Sequence, residues 1–354
     1  MLLYKNKCWI ADIDKILEVI PELDSLAGKS VMITGAAGLV CSSIVDVLFR
    51  YNDTHKEKIR ILAAGRWHKE MFDRFQEMTN RTDFVYVSYD ASKTDNVFDV
   101  HADYIIHGAS NASPNMITNE PVETMLSNFL GMKNLLDYAK QQGTRRLLYI
   151  SSSEVYGKKE DSRPYRENQY GYIDLLQPRN SYSVGKRSAE TLCVSYADEY
   201  GVESVIVRPG HIYGPTASPY DKRVASAWAY SVAKGEDIIM KSDGSQIRSY
   251  CYCLDCASAI LKVLLCGQDC HAYNISNPDS IITIKEMAEI LAKSGSVRLR
   301  SEMPTDEEQK SFNPMHNSSL EGTSLLALGW HGCFDAETGF GHTVRILKET
   351  LDTI

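Results

Sequence analysis

Tyr182 and Lys186 stand four residues apart in Tyr-Ser-Val-Gly-Lys. On a helix that spacing puts both side chains on one face, within reach of one small volume. A free phenol titrates near ~10 and is a poor base at neutral pH, but a neighbouring ammonium favours the phenolate. The spacing therefore predicts a tyrosine base tuned by its lysine. Upstream, Ser151-Ser152-Ser153-Glu154-Val155-Tyr156-Gly157 offers a hydroxyl at Ser152 and a carboxylate at Glu154. Together the four groups could move a proton at an alcohol carbon. A core tyrosine beside a surface lysine is the competing structural reading, and only the rest of the chain separates the two.

Chemistry of that kind needs a redox partner, and the N-terminal third supplies a place for one. Lys29-Ser30-Val31-Met32-Ile33-Thr34 is apolar and β-branched enough for a buried strand. It runs into Gly35-Ala36-Ala37-Gly38-Leu39-Val40-Cys41, and then into a helical apolar pattern through Ile44, Val45, Val47, Leu48 and Phe49. Strand, glycine turn and helix in this order suit a pyrophosphate, which backbone amides approach closely at a helix N-terminus. The third small position holds Cys41 rather than glycine, which predicts slightly looser packing of helix on strand.

Further strands are expected at Arg60 to Ala64, Phe84 to Ser88, Tyr104 to His107, Arg146 to Ser151 and Ser204 to Arg208. Helical segments such as Val122 to Gln142 and Ser183 to Tyr200 fall between them. The alternation implies a parallel doubly wound sheet with helices on both faces, binding ligands beyond the carboxyl ends of its strands. After Pro215 the rhythm loosens into a smaller lobe. The expected layout is an N-terminal helical extension over 1–28 and a dinucleotide-binding domain over 29–213 plus about 245–265. The substrate-binding lobe then comprises 214–244 and 266–354. Ile10, Ile13, Ile16, Leu17, Val19 and Ile20 give the extension the pattern of an amphipathic helix, packed on the body or on a second subunit.

From about Lys29 to Trp330 the chain resembles the extended short-chain dehydrogenase/reductase family, in its nucleotide-sugar epimerase/dehydratase branch. The ordered motifs are Thr34-Gly35-Ala36-Ala37-Gly38, His107-Gly108-Ala109-Ser110, Asn128 in Asn-Phe-Leu-Gly, Ser-Ser-Glu-Val-Tyr-Gly, and Tyr182 to Lys186. Arg208-Pro209-Gly210-His211-Ile212-Tyr213-Gly214-Pro215, Asp243 to Arg248, Tyr252 to Asp255, and Leu328-Gly329-Trp330 complete them. The resemblance implies an α/β fold, a Rossmann-type doubly wound parallel sheet with a smaller mixed C-terminal lobe. It implies a tightly bound NAD or NADP held by Gly35, Ala37, Gly38, Leu39, Val40, Arg66, Asp90, Ala91, Gly108, Ala109, Ser110, Asn128, Ser151, Tyr182, Lys186, Pro209 and His211. It implies a nucleotide-diphosphate sugar met by Ser113, Glu154, Arg179, Asn180, Arg223 and Arg248, and a homodimer built on the two long helices. The second strand ends in Gly65-Arg66-Trp67 with no acid for ribose hydroxyls, so NAD and NADP both remain open.

The family's chemistry oxidises the sugar at C4: Tyr182 takes the hydroxyl proton, Ser152 holds the oxygen, and Lys186 supports Tyr182. The keto-sugar then has three fates, 4,6-dehydration, decarboxylation of a uronic acid, or 4-epimerisation. Glu154 resembles the acid/base glutamate of dehydratases and decarboxylases. The stretch Tyr170 to Arg179 is most like the UDP-glucuronate decarboxylases. Those enzymes, however, carry an arginine in a late Gln-Lys-Arg-Lys-Pro segment, where this chain has Gln309-Lys310-Ser311-Phe312-Asn313-Pro314. On that departure a 4,6-dehydratase is expected, with decarboxylase and epimerase as alternatives. A non-catalytic nucleotide sensor on the same scaffold is the rival class.

Composition sets outer limits. A net charge of -8 argues against a surface for nucleic acid or anionic lipid, so phosphate binding must depend on local donors. No run is apolar and long enough to span a bilayer, and the start of the chain lacks a secretory pattern. Nine scattered cysteines fit a reduced cytoplasm. Cys251, Cys253 and Cys256 lack a fourth ligand at zinc spacing and are expected to be buried thiols, with no metal site.

Overall fold

The computed structural model describes residues 3–66, 68–305 and 315–351. The chain opens with helix α1 (Lys7–Glu18), whose Asn6 side chain accepts from the Trp9 amide as an N-cap. Strands β1 (Ser30–Thr34), β2 (Arg60–Gly65), β3 (Phe84–Ser88), β4 (Tyr104–His107), β5 (Arg146–Ile150) and β6 (Ser204–Pro209) follow the sequence expectation within two residues. Between them lie α2 (Leu39–Thr54), α3 (His68–Phe75), the short α4 (Pro114–Asn119), α5 (Pro121–Gln142) and α6 (Ser181–Tyr200).

Then come β7 (His211–Tyr213), α7 (Val224–Ala233), β8 (Ile238–Met240), β9 (Ile247–Tyr252), α8 (Cys253–Cys266), β10 (Ala272–Ile275), β11 (Ile281–Thr283), α9 (Ile284–Gly295) and β12 (Leu299–Ser301). A last helix spans Ala336–Leu351.

Seven strands form one parallel sheet in the order β10-β6-β5-β4-β1-β2-β3. Strand order reverses between β1 and β4, which creates the crevice where such sheets bind ligands. Side chains alternate across the pleat. Val31, Ile33, Ile106, Leu148 and Val207 join the core beneath α1, α2 and α8, while Met32, Ile105, Leu147 and Ile206 join the core beneath α5 and α6. Both faces are covered, so these central strands are apolar throughout.

A smaller mixed sheet, β11-β9-β7, and a two-stranded β12-β8 pair make up the remaining strands. The predicted amphipathic helix exists as α1, with Trp9, Ile13 and Ile16 fully buried in the main core. It packs on the body of the same chain, against α2, α8 and the last helix. Among the described residues no helix is long and apolar enough to cross a membrane.

Candidate functional site

The glycine turn sits where the sheet order reverses. Gly35 has φ 69°, and a Cβ there would lie 3.0 Å from the backbone N and Cα of Ala109. Only glycine allows the β1 and β4 exits to approach so closely. Gly38 is the exposed N-cap of α2, with no side-chain cap and no acid in the first turn, so Leu39 and Val40 begin a helix whose positive end is free. Thr34 Oγ1 accepts from the Gly108 and Ala109 amides and bonds His107 Nδ1 at 2.7 Å. The looser packing expected from Cys41 is corrected here. Cys41 Sγ occupies the space that a Cβ on Gly108 would need, so the larger residue on the helix is matched by a missing one on the strand exit.

Around these strand ends, Ser151 Oγ, His107 Nε2 and His211 Nδ1 are buried with no partner among the described residues. Buried polar atoms are costly without hydrogen bonds, so a polar ligand is the natural partner for such a set. An uncapped helix terminus, a glycine cradle and orphaned donors fit a dinucleotide. Asp90 follows β3 and accepts from Ser92, with buried Ala91 beside it. Arg66 leaves β2 exposed, and Trp67 lies outside the described residues. Asn128 points inward: its amide donates to Thr124 O and accepts from Ser110 Oγ and Tyr149 Oη, tying α5 to the β4 and β5 ends.

Tyr182 begins α6 and is 7% exposed. Ser152 hydrogen-bonds it, and Glu154, Arg179 and Arg223 act on it electrostatically. The tuning predicted from its spacing to Lys186 is corrected: burial pushes the phenol up to about 12, and the Glu154 charge adds to the rise. Burial also depresses Lys186 to about 7, against a smaller opposing effect of Glu190. Lys186 donates to the Ile150 carbonyl at 2.8 Å, and its Nζ lies 5.7 Å from the Tyr182 ring centre and 4.7 Å from that of Tyr149.

Glu154 takes a bidentate pair of hydrogen bonds from Arg179, 3.0 Å each, and a third from Ser183 Oγ at 3.2 Å. The pair is about half exposed and acts electrostatically on buried Tyr182. Asn180 donates to Asp174 O, and Ser113 N-caps α4, which packs on the Pro178–Asn180 turn. Arg223 is paired with Asp221.

Arg248 is the unusual cation. It is 4% exposed, and among the described residues it donates only to the carbonyls of Ile247 and His316. A buried guanidinium without a carboxylate is expensive unless an anion completes it. Its charge and that of Arg223, after burial itself, hold the His211 imidazole down to about 4, so His211 is neutral at physiological pH.

Three features escape sequence reasoning. The Tyr149 ring supports Lys186 and stacks 5.6 Å from His107; an aromatic two residues before Ser151 was the available signal. Arg208, of the Arg-Pro-Gly motif, uses every N–H on Glu190, Tyr156, Glu167 O and Tyr170. Tyr156 in turn donates to Asn274 at 2.6 Å, so these two motif residues are struts beneath the site. The segment 309–314, which carried the dehydratase expectation, lies outside the described residues.

A sequence profile of the NAD dependent epimerase/dehydratase family matches residues 31–276. UDP-glucuronic acid decarboxylase 6 of Arabidopsis thaliana is 31% identical over 284 residues, 79% of this chain and 79% of that protein. UDP-glucose 4-epimerase of Thermotoga maritima, solved with UDP-glucose, matches with a TM-score of 0.77 at 22% identity, covering 91% of this chain and 99% of that one. The dTDP-glucose 4,6-dehydratase of Bacillus anthracis, in complex with NAD, gives 0.73 at 18% identity, covering 92% and 98%. At these identities the two structures speak for the fold.

Proposed function

Because the chain belongs to the NAD-dependent epimerase/dehydratase family, we propose that it oxidises the sugar of a nucleotide-diphosphate sugar at C4 and then decarboxylates it, acting on a hexuronate. The Gly35 turn and the uncapped N-terminus of α2 at Gly38 would hold NAD, which would supply a reversible hydride acceptor for the sugar. The protein's part is binding and proton management. Arg248 is the deep cation suited to the diphosphate. Ser152 holds the 4-hydroxyl, and Lys186 stands behind the Tyr182 ring. Tyr182, raised to about 12 by burial and Glu154, takes the proton as its phenolate, which the positive charge of an oxidised nicotinamide bound beside it would favour.

The Arg179–Glu154 pair carries the choice of reaction. Loss of CO2 from C5 leaves its electron pair to the C4 carbonyl, so it needs no base at C5 but does need a cation to orient the carboxylate. Arg179 meets a carboxylate in bidentate fashion already, beside Tyr182. A 4,6-dehydratase instead needs a free base for the C5 proton and an acid for the departing C6 hydroxyl. Here Ser153 precedes the single carboxylate, Glu154, and that carboxylate is engaged. The relatives named as UDP-glucuronic acid decarboxylases support the same reading. The dehydratase remains the second reading, favoured by Ser311 where decarboxylases have arginine.

Incubation with UDP-glucuronate, UDP-glucose and dTDP-glucose separates them: CO2 and a nucleotide pentose support the proposal, whereas a 4-keto-6-deoxy sugar or a 4-epimer assigns the other reaction. No turnover of any nucleotide sugar, with NAD bound, would make the chain a sensor.

The substrate side in this proposal is the lobe over 214–244 and 266–354 apart from β10 (Ala272–Ile275), which joins the main sheet beside β6. The subunits pair as a homodimer through α5 and α6. Val122, Met125, Leu126 and Phe129 recur at helical spacing on α5 and stay 37–61% exposed, with Val194 of α6 also uncovered.

A further inference from the structure

Outside the dinucleotide site, three side chains of different chemistry converge between the two ends of the chain. Cys8 and Asp12 stand one turn apart on α1, and His342 faces them from the last helix. Their Sγ, carboxylate oxygen and ring nitrogen all lie within 4.8 Å of one another. Cys8 and Asp12 are buried, at 9% and 4% exposure. His342 Nδ1 sits 2.9 and 3.0 Å from the two Asp12 oxygens.

We propose that Cys8, Asp12 and His342 form a binding site for a borderline-soft divalent cation of the zinc class, which fastens the N-terminal helix to the C-terminal one. Thiolate, imidazole and carboxylate are the three donors that zinc accepts, and two ligands at i and i+4 on a helix are a common way to present them. In a tetrahedral site with bonds of about 2.0–2.3 Å, donor atoms stand roughly 3.3–3.8 Å apart. The Asp12–His342 separation is already slightly below that range, and the thiol needs to close by about an ångström at most, within the reach of a χ1 adjustment.

The surroundings are built as outer shells of metal sites are. Tyr252 Oη donates to Asp12 Oδ2 at 3.0 Å, fixing the carboxylate. Tyr252 is itself fully buried and clamped edge-on by the Trp9 and Phe334 rings. The fastening would act where the N-terminal helix meets the C-terminal part of the chain, whose polar contacts include Asn6 Nδ2 to Glu349 at 2.8 Å and Lys15 Nζ to Cys333 O at 2.7 Å. The site shares no residue with the proposed catalytic cluster. Cys251, Cys253 and Cys256, the cysteines whose spacing invites a metal, are separate buried thiols on β9 and α8.

The test uses the full chain, stripped with chelator and titrated with Co2+ and then Zn2+. One Co2+ per chain with a thiolate-to-cobalt charge-transfer band, displaced by Zn2+, is expected. Cys8→Ser should abolish the band and His342→Gln should weaken Zn2+ binding at least about a hundredfold, with Tyr252→Phe about tenfold weaker. Zn2+ should raise the melting temperature of the wild type and leave that of Cys8→Ser unchanged. Absence of the band in the wild type, a measurement that needs no variant to fold, reduces the cluster to an Asp12–His342 ion pair. A band that survives Cys8→Ser also overturns the assignment.

Discussion

Replacing Lys186 with Met should make the folded chain more stable at neutral pH while removing its chemistry. Burial lowers this amine from 10.5 to about 7, and it is 3% exposed. The folded state therefore binds the proton more weakly than the unfolded chain does. Between about pH 7 and 10.5 the unfolded chain holds more protons, so stability rises with pH across that window. Below about 7 the cost of the buried amine is at its full value, and above 10.5 it is gone.

At 1.36 kcal/mol per pH unit, 10.5 − 7 = 3.5 pH units correspond to about 5 kcal/mol. Met removes that cost but abandons the 2.8 Å bond to the Ile150 carbonyl, which leaves a buried acceptor short by about 1–3 kcal/mol. At pH 7 the variant should be more stable by about 2–4 kcal/mol. That advantage should shrink by about 1.4 kcal/mol per pH unit and vanish or reverse near pH 10. Urea unfolding of both proteins at several pH values, with equal m-values, measures the gap. A gap that stays constant from pH 7 to 10 would mean that Lys186 titrates as an ordinary lysine, and the description of the site would be wrong.

Gly35→Ala should cost about 1–3 kcal/mol in unfolding free energy and abolish dinucleotide retention on purification, because its Cβ meets Ala109 backbone at φ 69°. Arg248→Gln should weaken UDP binding by calorimetry at least about tenfold, the loss of charge-assisted hydrogen bonds in a buried site; unchanged affinity removes Arg248 from the diphosphate. Phe129→Glu should convert the proposed dimer to a monomer in light scattering and leave the fold intact by circular dichroism, and a wild-type chain that is already monomeric removes the proposed pairing. Arg179→Gln should raise KM for a nucleotide hexuronate and leave binding of the neutral hexose within about twofold.

Local signals made most of the scaffold legible. Each strand of the main sheet up to β6 was marked by a short apolar, β-branched run, and the glycine turn by its place between such a run and a helical pattern. The i, i+4 spacing of Tyr182 and Lys186 survives translation into space, since both sit on α6. What stayed hidden depends on contacts that no local window contains. Glu154 meets Arg179 across 25 positions, and Arg208 reaches Tyr156 and Tyr170 across 52 and 38. Asp12 meets His342 across 330. The titration of Tyr182 departs from the sequence expectation for a physical reason: the spacing displays the ammonium, while the burial and the Glu154 charge that raise the phenol are properties of the packed fold. Asn128 stands in a sequence motif, and its bonds to Thr124, Ser110 and Tyr149 show how a motif residue can serve by holding others in place.

The central claim is that the chain removes a hydride from C4 of a nucleotide sugar beside Tyr182. Rapid mixing of the NAD-loaded protein with UDP-glucuronate, unlabelled or deuterated at C4, tests it directly. Transient absorbance of reduced nicotinamide, slower to form from the deuterated sugar and lost in Tyr182→Phe, is the predicted result. Release of CO2 with no such transient and no isotope effect would contradict it.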